Sequence, residues 1–498
     1  MEFSIILGTM ALLILICLFS SKISSWLNVP TLIMFLAVGM LAGSEGVGKL
    51  AFDNATVANY IGSFAMAFIL FAGGFDTRWK SVRSVLGYGG LLASVGVLLT
   101  AIFVGVLTWG LLQWITPEKG ISLSWCLLLG SIISSTDAAA VFAILRSKNV
   151  SLRGDLQPLL EFESGSNDPM AAFLTIFMVG VVSVETATGQ IMPWTGYWII
   201  VPTFLIKMSL GILIGYAIAR LAIWAYNKFD FEYDGLYYVL AFSVAILTFS
   251  LAELSYGNGF MAVYVAGLTM GNKRFIYHHS IGRYYDGMAW LMQVVLFTML
   301  GLLAFPHQLW NAKWIGLAVA IILMLIARPV AVFLCMIRSK FNINERLLVS
   351  WVGLRGGAPI MLATFPLMAK IENDQLIFHI VFFIVLTSVL LQGMTLMPMA
   401  RALKLAAPLR KSARIPLTFD HTGVIDAESR GFIVDELAQG KTLAQLDLPK
   451  EALVMLIHRE EQFIIPRGNT VLEKDDHLMI IGPEKTLEEV GLRLDIVE

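Results

Sequence analysis

The chain has 498 residues, of which 57% are hydrophobic and 14% charged, with a formal net charge of −1 and a mean hydropathy of +0.76. A soluble globular chain does not carry that balance, so the composition predicts a polytopic membrane protein. The near-zero charge, with basic residues sorted along the chain rather than gathered in a patch, argues against nucleic acid as a partner. Cys17, Cys126 and Cys335 all fall in apolar segments and read as small buried hydrophobes, not as a disulfide framework or a metal site.

Windows of about 19 apolar residues predict about 13 membrane helices, near 3–20, 30–44, 57–73, 85–114, 123–146, 158–183, 195–225, 236–253, 257–272, 286–304, 314–337, 347–369 and 376–399. Glu2 precedes the first without a basic n-region or a cleavage signature, so that segment is expected to be retained as a span. The loops alternate in charge. One side receives Lys22, then Arg78, Lys80 and Arg83, then Arg146, Lys148 and Arg153, and so on to Arg401–Arg414, whereas the other receives single lysines such as Lys49, Lys119, Lys313 and Lys370. The excess of Lys and Arg marks the cytoplasmic side, which places the N-terminus outside and the C-terminus inside and requires an odd number of spans.

Past about residue 415 the charge rises. Short runs at Ala452–Ile457, Gln462–Ile465 and Leu478–Ile481 read as strands, with turns at Pro466–Asn469, Lys474–Asp476 and Gly482–Pro483. Leu487, Val490 and Leu494 have helical spacing. The expected organisation is a membrane domain over 1–400, a linker over 401–415 and a small cytoplasmic α/β domain over 416–498, small enough to be marginal alone and so prone to dimerise.

Two stretches put carboxylates at membrane depth: Ser134-Ser135-Thr136-Asp137, and Glu161-Phe162-Glu163-Ser164-Gly165-Ser166-Asn167-Asp168. An ionisable residue there costs at least about 2.5–3.5 kcal/mol on insertion scales and marks an ion or proton path by default. On a helix, Ser164 and Asp168 share one face, and Glu163 and Asn167 share another about 100° round. The first pair offers the hard oxygen ligands that suit a monovalent cation. The second is free to pair with a cation from another span, and Arg328, inside the apolar run 321–333, either fills that role or snorkels to the interface. The polar run ending at Asp137 interrupts the fifth span, and Gly353-Leu354-Arg355-Gly356-Gly357-Ala358-Pro359 interrupts the twelfth. Two broken helices seven spans apart point to an inverted-repeat transporter, although simple kinks would read the same way.

With these residues in hand, the chain resembles the monovalent cation:proton antiporters of the NhaP/NHE class over residues 1–400. The resemblance implies that Thr136, Asp137, Ser164 and Asp168 surround the transported monovalent cation, potassium or sodium, and that Asp168 also carries the proton. It further implies that Glu163 pairs with Arg328, that Asn167 links the cores and that Arg355 sits at the second broken helix. Asn167 in place of a second aspartate resembles the electroneutral members: one carboxylate holds either a proton or a cation, and the two compete. Span three departs from many relatives, which have an acidic residue before its Gly-Gly, whereas here the run is Phe71-Ala72-Gly73-Gly74-Phe75-Asp76.

The tail, through Gly440–Leu443, Val454–Glu460, Ile464–Leu472 and Asp476–Gly482, is similar to the C-terminal subdomain of potassium-conductance regulators (TrkA_C). That implies ligand-sensing control, with a regulatory nucleotide as the expected ligand, and a bias towards potassium; a packing module without a ligand is the alternative. No other cofactor is expected. The resemblance also implies a homodimer in a bacterial cytoplasmic (inner) membrane. His278, His279, His458 and His477 titrate in the right range to sense pH but have no readable carboxylate partner. Lys207 within span seven reads as a snorkelling or paired lysine. A channel would need a filter repeat that is absent, and no nucleophile–base pairing or phosphate loop supports an enzyme.

Overall fold

The computed structural model describes residues 2–27, 30–115, 121–148, 150–190, 194–408, 428–434, 438–459, 462–474 and 476–493. They form two compact units. One comprises the described residues up to Ala222 with Val239–Lys273 and Tyr284–Pro408; the other joins Ile223–Tyr238 and Arg274–Arg283 to the described residues after 408.

Among the described residues, nine helices are long and apolar enough to cross a membrane, and four shorter apolar helices accompany them. They fall at the thirteen expected positions: α1 (Glu2–Leu27), α2 (Thr31–Ala42), α3 (Ala55–Asp76), α4 (Leu86–Ile115), the pair α5 (Leu123–Ile132) and α6 (Ala138–Ser147), α7 (Leu156–Thr188), α8 (Ile200–Lys228), α9 (Gly235–Leu254), α10 (Gly259–Gly271), α11 (His278–Leu302), α12 (Pro306–Cys335), the pair α13 (Ile343–Trp351) and α14 (Gly357–Ala369), and α15 (Asp374–Ala402). Helix starts follow local chemistry. Side chains of Asn54, Ser122 and Asn258 accept from the backbone N–H of Val57, Trp125 and Met261 at 3.0, 3.1 and 2.9 Å, and Asn342 with Glu345 closes a capping box on α13.

Helices in lipid gain nothing by hiding apolar surface from water, so they associate where small residues let backbones meet. Gly74 of span three and Gly267 and Gly271 of α10 serve that purpose. A Cβ on Gly74 would stand 2.3 Å from the Tyr264 carbonyl oxygen, and Cβ atoms on Gly267 and Gly271 would stand 2.1 and 1.9 Å from those of Phe71 and Phe75. The seam fixes α3 against α10. Ala72 is buried beside it, and Asp76 is the exposed last residue of α3.

Two features were not legible in the periodicity. Single π turns at Leu92–Gly96 and Leu323–Ala327 widen α4 and α12. The second lies just ahead of Pro329, whose ring crowds the carbonyl one turn back, and the wider turn absorbs that conflict where Arg328 leaves the helix. A short antiparallel tie, β1 (Val150–Leu152) with β2 (Ala406–Pro408), occupies part of the expected linker; residues 409–415 of that linker lie outside the described residues.

The tail is a four-stranded antiparallel sheet in the order β3 (Glu428–Ile433), β6 (His477–Gly482), β4 (Leu453–Arg459), β5 (Gln462–Ile464), followed by α16 (Glu484–Arg493). β3 was not predicted. Leu478 and Ile480 of the central strand, Ile457, Leu472, and Leu487 and Val490 of α16 form its core. Asp476, read as a solvated turn residue, is instead fully buried and accepts two hydrogen bonds from Arg459 at 2.8 and 2.7 Å. His458 and His477 face each other across the sheet, ring centres 6.0 Å apart.

Candidate ion-binding site

The two broken spans cross at their breaks. The Asp137 N–H donates to the Leu354 carbonyl at 2.8 Å, and the Arg355 guanidinium reaches back through Nη1 to the carbonyls of Ser134, at 2.9 Å, and of Ser135. A helix carries partial positive charge at its N-terminus and partial negative charge at its C-terminus. Arg355 therefore meets the carbonyls that follow the end of α5. Asp137 meets the start of α6, its Oδ1 accepting from the Ala140 N–H at 3.2 Å. Both exposed helix ends of the fifth span are thus matched by a charge of opposite sign, which is how broken backbone is held at membrane depth.

The second break is pinned from α15. The Ser388 hydroxyl accepts from the Arg355 N–H at 3.1 Å and donates to Gln392, which donates in turn to the Trp351 carbonyl at 2.9 Å. Sequence reading passed over both residues, although a Ser and a Gln four apart in an apolar helix carried the signal. Gly356 was read only as part of the second interruption. A Cβ there would lie 2.0 Å from Asp137 Oδ2, so only glycine fits beside that carboxylate.

Helix α7 supplies the other wall. The Ser164 hydroxyl donates to the Thr136 carbonyl at 3.0 Å and accepts from the Ala138 N–H at 2.9 Å, which leaves one oxygen lone pair uncommitted. Asn167, grouped by sequence with the ion pair, has a different partner: its Nδ2 donates to the Thr136 hydroxyl at 2.5 Å. The broken helix intercepts it because both Thr136 oxygens are turned toward α7. Glu163 and Arg328 meet at 2.6 Å with side chains 1% and 3% exposed. Their approach is oblique, an ion contact rather than an aligned hydrogen bond, and Arg328 Nε and Nη2 have no hydrogen-bond partner among the described residues.

Asp168 lies on the same face of α7 as Ser164. It is only half-buried, as are Ser164 and Asp137, and among the described residues no cation pairs with it. The charged groups acting on it are Asp137 and Arg355, and the Ser135 hydroxyl lies beside it. Beyond it, the Asn258 Nδ2 of α10 donates to the Pro169 carbonyl at 3.1 Å, and the Tyr264 ring fills the space a side chain at Gly165 would need. Lys207 is half-buried on α8, its carbonyl accepting from the Asn258 N–H at 3.0 Å.

A polytopic bundle whose two broken helices cross beside a half-accessible carboxylate is the architecture of an ion-coupled secondary transporter. Residues 10–402 match the family described as sodium/hydrogen exchanger, transmembrane, and residues 435–494 match the TrkA-C domain. The chain belongs to the sodium/hydrogen exchanger family. It is 36% identical over 474 residues to the K(+)/H(+) antiporter NhaP of Alkalimonas amylolytica, covering 94% of this chain and 79% of that protein. It is 35% identical over 489 residues to the K(+)/H(+) antiporter NhaP2 of Shewanella sp. strain ANA-3, covering 97% and 82%. The Na(+)/H(+) antiporter NhaP of Pseudomonas aeruginosa shares 27% over 369 residues, covering 69% and 81%. The sodium proton antiporter MjNhaP1 of Methanocaldococcus jannaschii has the same fold, with a TM-score of 0.67 at 24% identity over 81% of this chain and 100% of that one.

Proposed function

We propose that the protein exchanges cytoplasmic potassium for external protons one for one, with Asp168 as the single group that carries either. The observation that carries this reading is the division of labour among the carboxylates. Glu163 is neutralised by Arg328 and Asp137 caps α6, whereas Asp168, half-buried like Asp137, neither caps a helix nor has a paired cation among the described residues. An ionised carboxylate attracts a cation and a bound proton cancels that attraction, so the two ligands exclude one another. The free lone pair of Ser164, the Thr136 oxygens and Asp137 Oδ2 would complete an oxygen cage around a dehydrated monovalent ion. Alternating access then converts competition into exchange.

Potassium is favoured because the K(+)/H(+) relatives align over nearly the whole chain, tail included, and the sodium relative over less of it. The orientation follows the loop charges, with the C-terminal TrkA-C domain in the cytoplasm of a bacterial inner membrane, where a nucleotide would regulate transport. The expected homodimer would use α1 and α8, whose apolar faces are the least covered in the bundle.

The test is dissipation of a pH gradient in inside-out vesicles with each alkali cation in turn. Potassium should act at far lower concentration than sodium, with an apparent KM that rises as protons are added on the same side. Asp168→Asn should abolish exchange and leave the protein folded; transport retained by that variant would end the assignment.

A further inference from the structure

A cavity of about 820 Å³ lies away from the ion site, between α4 and α7 on one side and α8 and α10 on the other. Its walls are apolar. Phe162 and Met170 of α7 face Phe204, Met208 and Ile212 of α8 and Leu268 of α10, and polar groups are sparse. Phe162, Ser166 and Met170 stand on one face of α7, about 200° round from the Asp168 face, so the cavity does not open on Asp168.

The mouth has the opposite character. Arg78 and Lys80, on the turn after α3, and Lys273, just past α10, all line it. They are held together by one side chain: Asn272 accepts from the Trp79 N–H and donates to the Thr77 carbonyl, both at 2.7 Å. Among the described residues none of the three cations has a carboxylate partner. Three like charges at a mouth repel an entering cation, which makes the groove a poor ion path and a good anion seat. Trp79, on the same corner and 43% exposed, suits the level of lipid headgroups, where tryptophan concentrates.

Length decides what kind of anion fits. From Phe204 to Tyr216 the α8 wall runs twelve residues, or about 18 Å at about 1.5 Å per residue, and the wall opposite runs from Met261 of α10 to Lys273 just beyond its end. One leaflet of hydrocarbon is about 15 Å deep. The volume lies in the range of about 300–1,000 Å³ that holds a small molecule. The Tyr264 hydroxyl, buried between Thr77 and Ser166 without an aligned hydrogen bond to either, adds a polar group to the apolar wall.

We propose that this groove holds an acyl chain of an anionic phospholipid of the cytoplasmic leaflet, with its phosphate bound by Arg78, Lys80 and Lys273. Such a lipid stands between α7, which carries Ser164 and Asp168, and the helices α8 and α10 opposite. The leaflet follows from the orientation proposed above; the binding itself does not depend on the transported ion.

The test uses the full-length protein in phosphatidylcholine vesicles with a photoreactive phosphatidylglycerol probe, reading the label on α7 and α10 peptides. Wild type should be labelled there, and a phosphatidylcholine probe should label at least tenfold less. Each basic residue near an anionic surface contributes about 1 kcal/mol, so the triple variant Arg78→Gln/Lys80→Gln/Lys273→Gln should lower affinity for the probe on the order of 100-fold. Gly90→Phe should abolish labelling without touching a charge, because Gly90 lines the groove and a Cβ there meets nothing within 4 Å. Unchanged gel-filtration profiles and melting temperatures establish that both variants are folded. Equal labelling by the neutral probe overturns the headgroup assignment, and undiminished labelling of Gly90→Phe overturns the groove. Modification of Lys80→Cys by an impermeant maleimide in right-side-out vesicles tests the orientation separately, so a wrong leaflet and an empty groove give different results.

Discussion

Replacing Glu163 by Gln removes the carboxylate in contact with the Arg328 guanidinium, which is 3% exposed. With charge centres about 4 Å apart and an effective dielectric of about 20, the lost attraction is about 4 kcal/mol. That agrees with the roughly 3–5 kcal/mol seen when one member of a buried pair is removed. The pair itself is worth less than either loss suggests. Arg328 Nε and Nη2 remain without hydrogen-bond partners, so the desolvation of the guanidinium is poorly offset. The double variant Glu163→Leu/Arg328→Met should therefore recover most of the loss and can exceed wild type by about 1–4 kcal/mol. The measurement is a double-mutant cycle on denaturation of the purified protein in mixed micelles, with a coupling of about 3 kcal/mol or more expected. Additivity within about 0.5 kcal/mol would show that the two residues do not act as a pair and would refute the reasoning.

Gly356→Ala should lower exchange on the order of 100-fold, as a misplacement of about 1 Å does in a preorganised site. The new methyl would meet Asp137 Oδ2, Cβ and Cγ within 2.7 Å, while the backbone φ of −100° suits any residue. The pH-gradient assay reads it, and a wild-type rate would remove Asp137 from the site. In the tail, Arg459→Met leaves Asp476 buried and unpaired; because Arg459 is a quarter exposed, solvent screening reduces the expected loss to about 2 kcal/mol. The hydrogen bonds it donates to Asp476 hold the Arg459 guanidinium above its ordinary value. A raised value means that its contribution is complete below the unfolded pKa and fades only as pH rises through the folded one, so denaturation of the wild-type tail should show no loss from this group until strongly alkaline pH.

The thirteen apolar segments, their order and the two interruptions were readable in the chain because lipid forces every backbone polar group into a helix, which leaves a long unbroken signature in sequence. Helix spacing also separated the Ser164–Asp168 face of α7 from that of Glu163. What spacing could not supply was the partner of each group. Asn167 bonds to Thr136, Asp137 caps α6 and Gly356 makes room for its carboxylate, all through contacts between segments that are distant in sequence. The tail was less legible. β3 is short and pairs with a strand about fifty residues on, and Asp476 looks like a turn residue until Arg459 is brought over it.

Sequence by itself determined that this is a membrane protein with intramembrane acids in its fifth and sixth spans and breaks in its fifth and twelfth, since composition and periodicity answer to the solvent around each helix. Only the tertiary structure decided which acid is neutralised, which caps a helix and which does neither. A carboxylate's role depends on the charges and hydrogen bonds within a few ångströms of it, and those neighbours are set by how the helices cross.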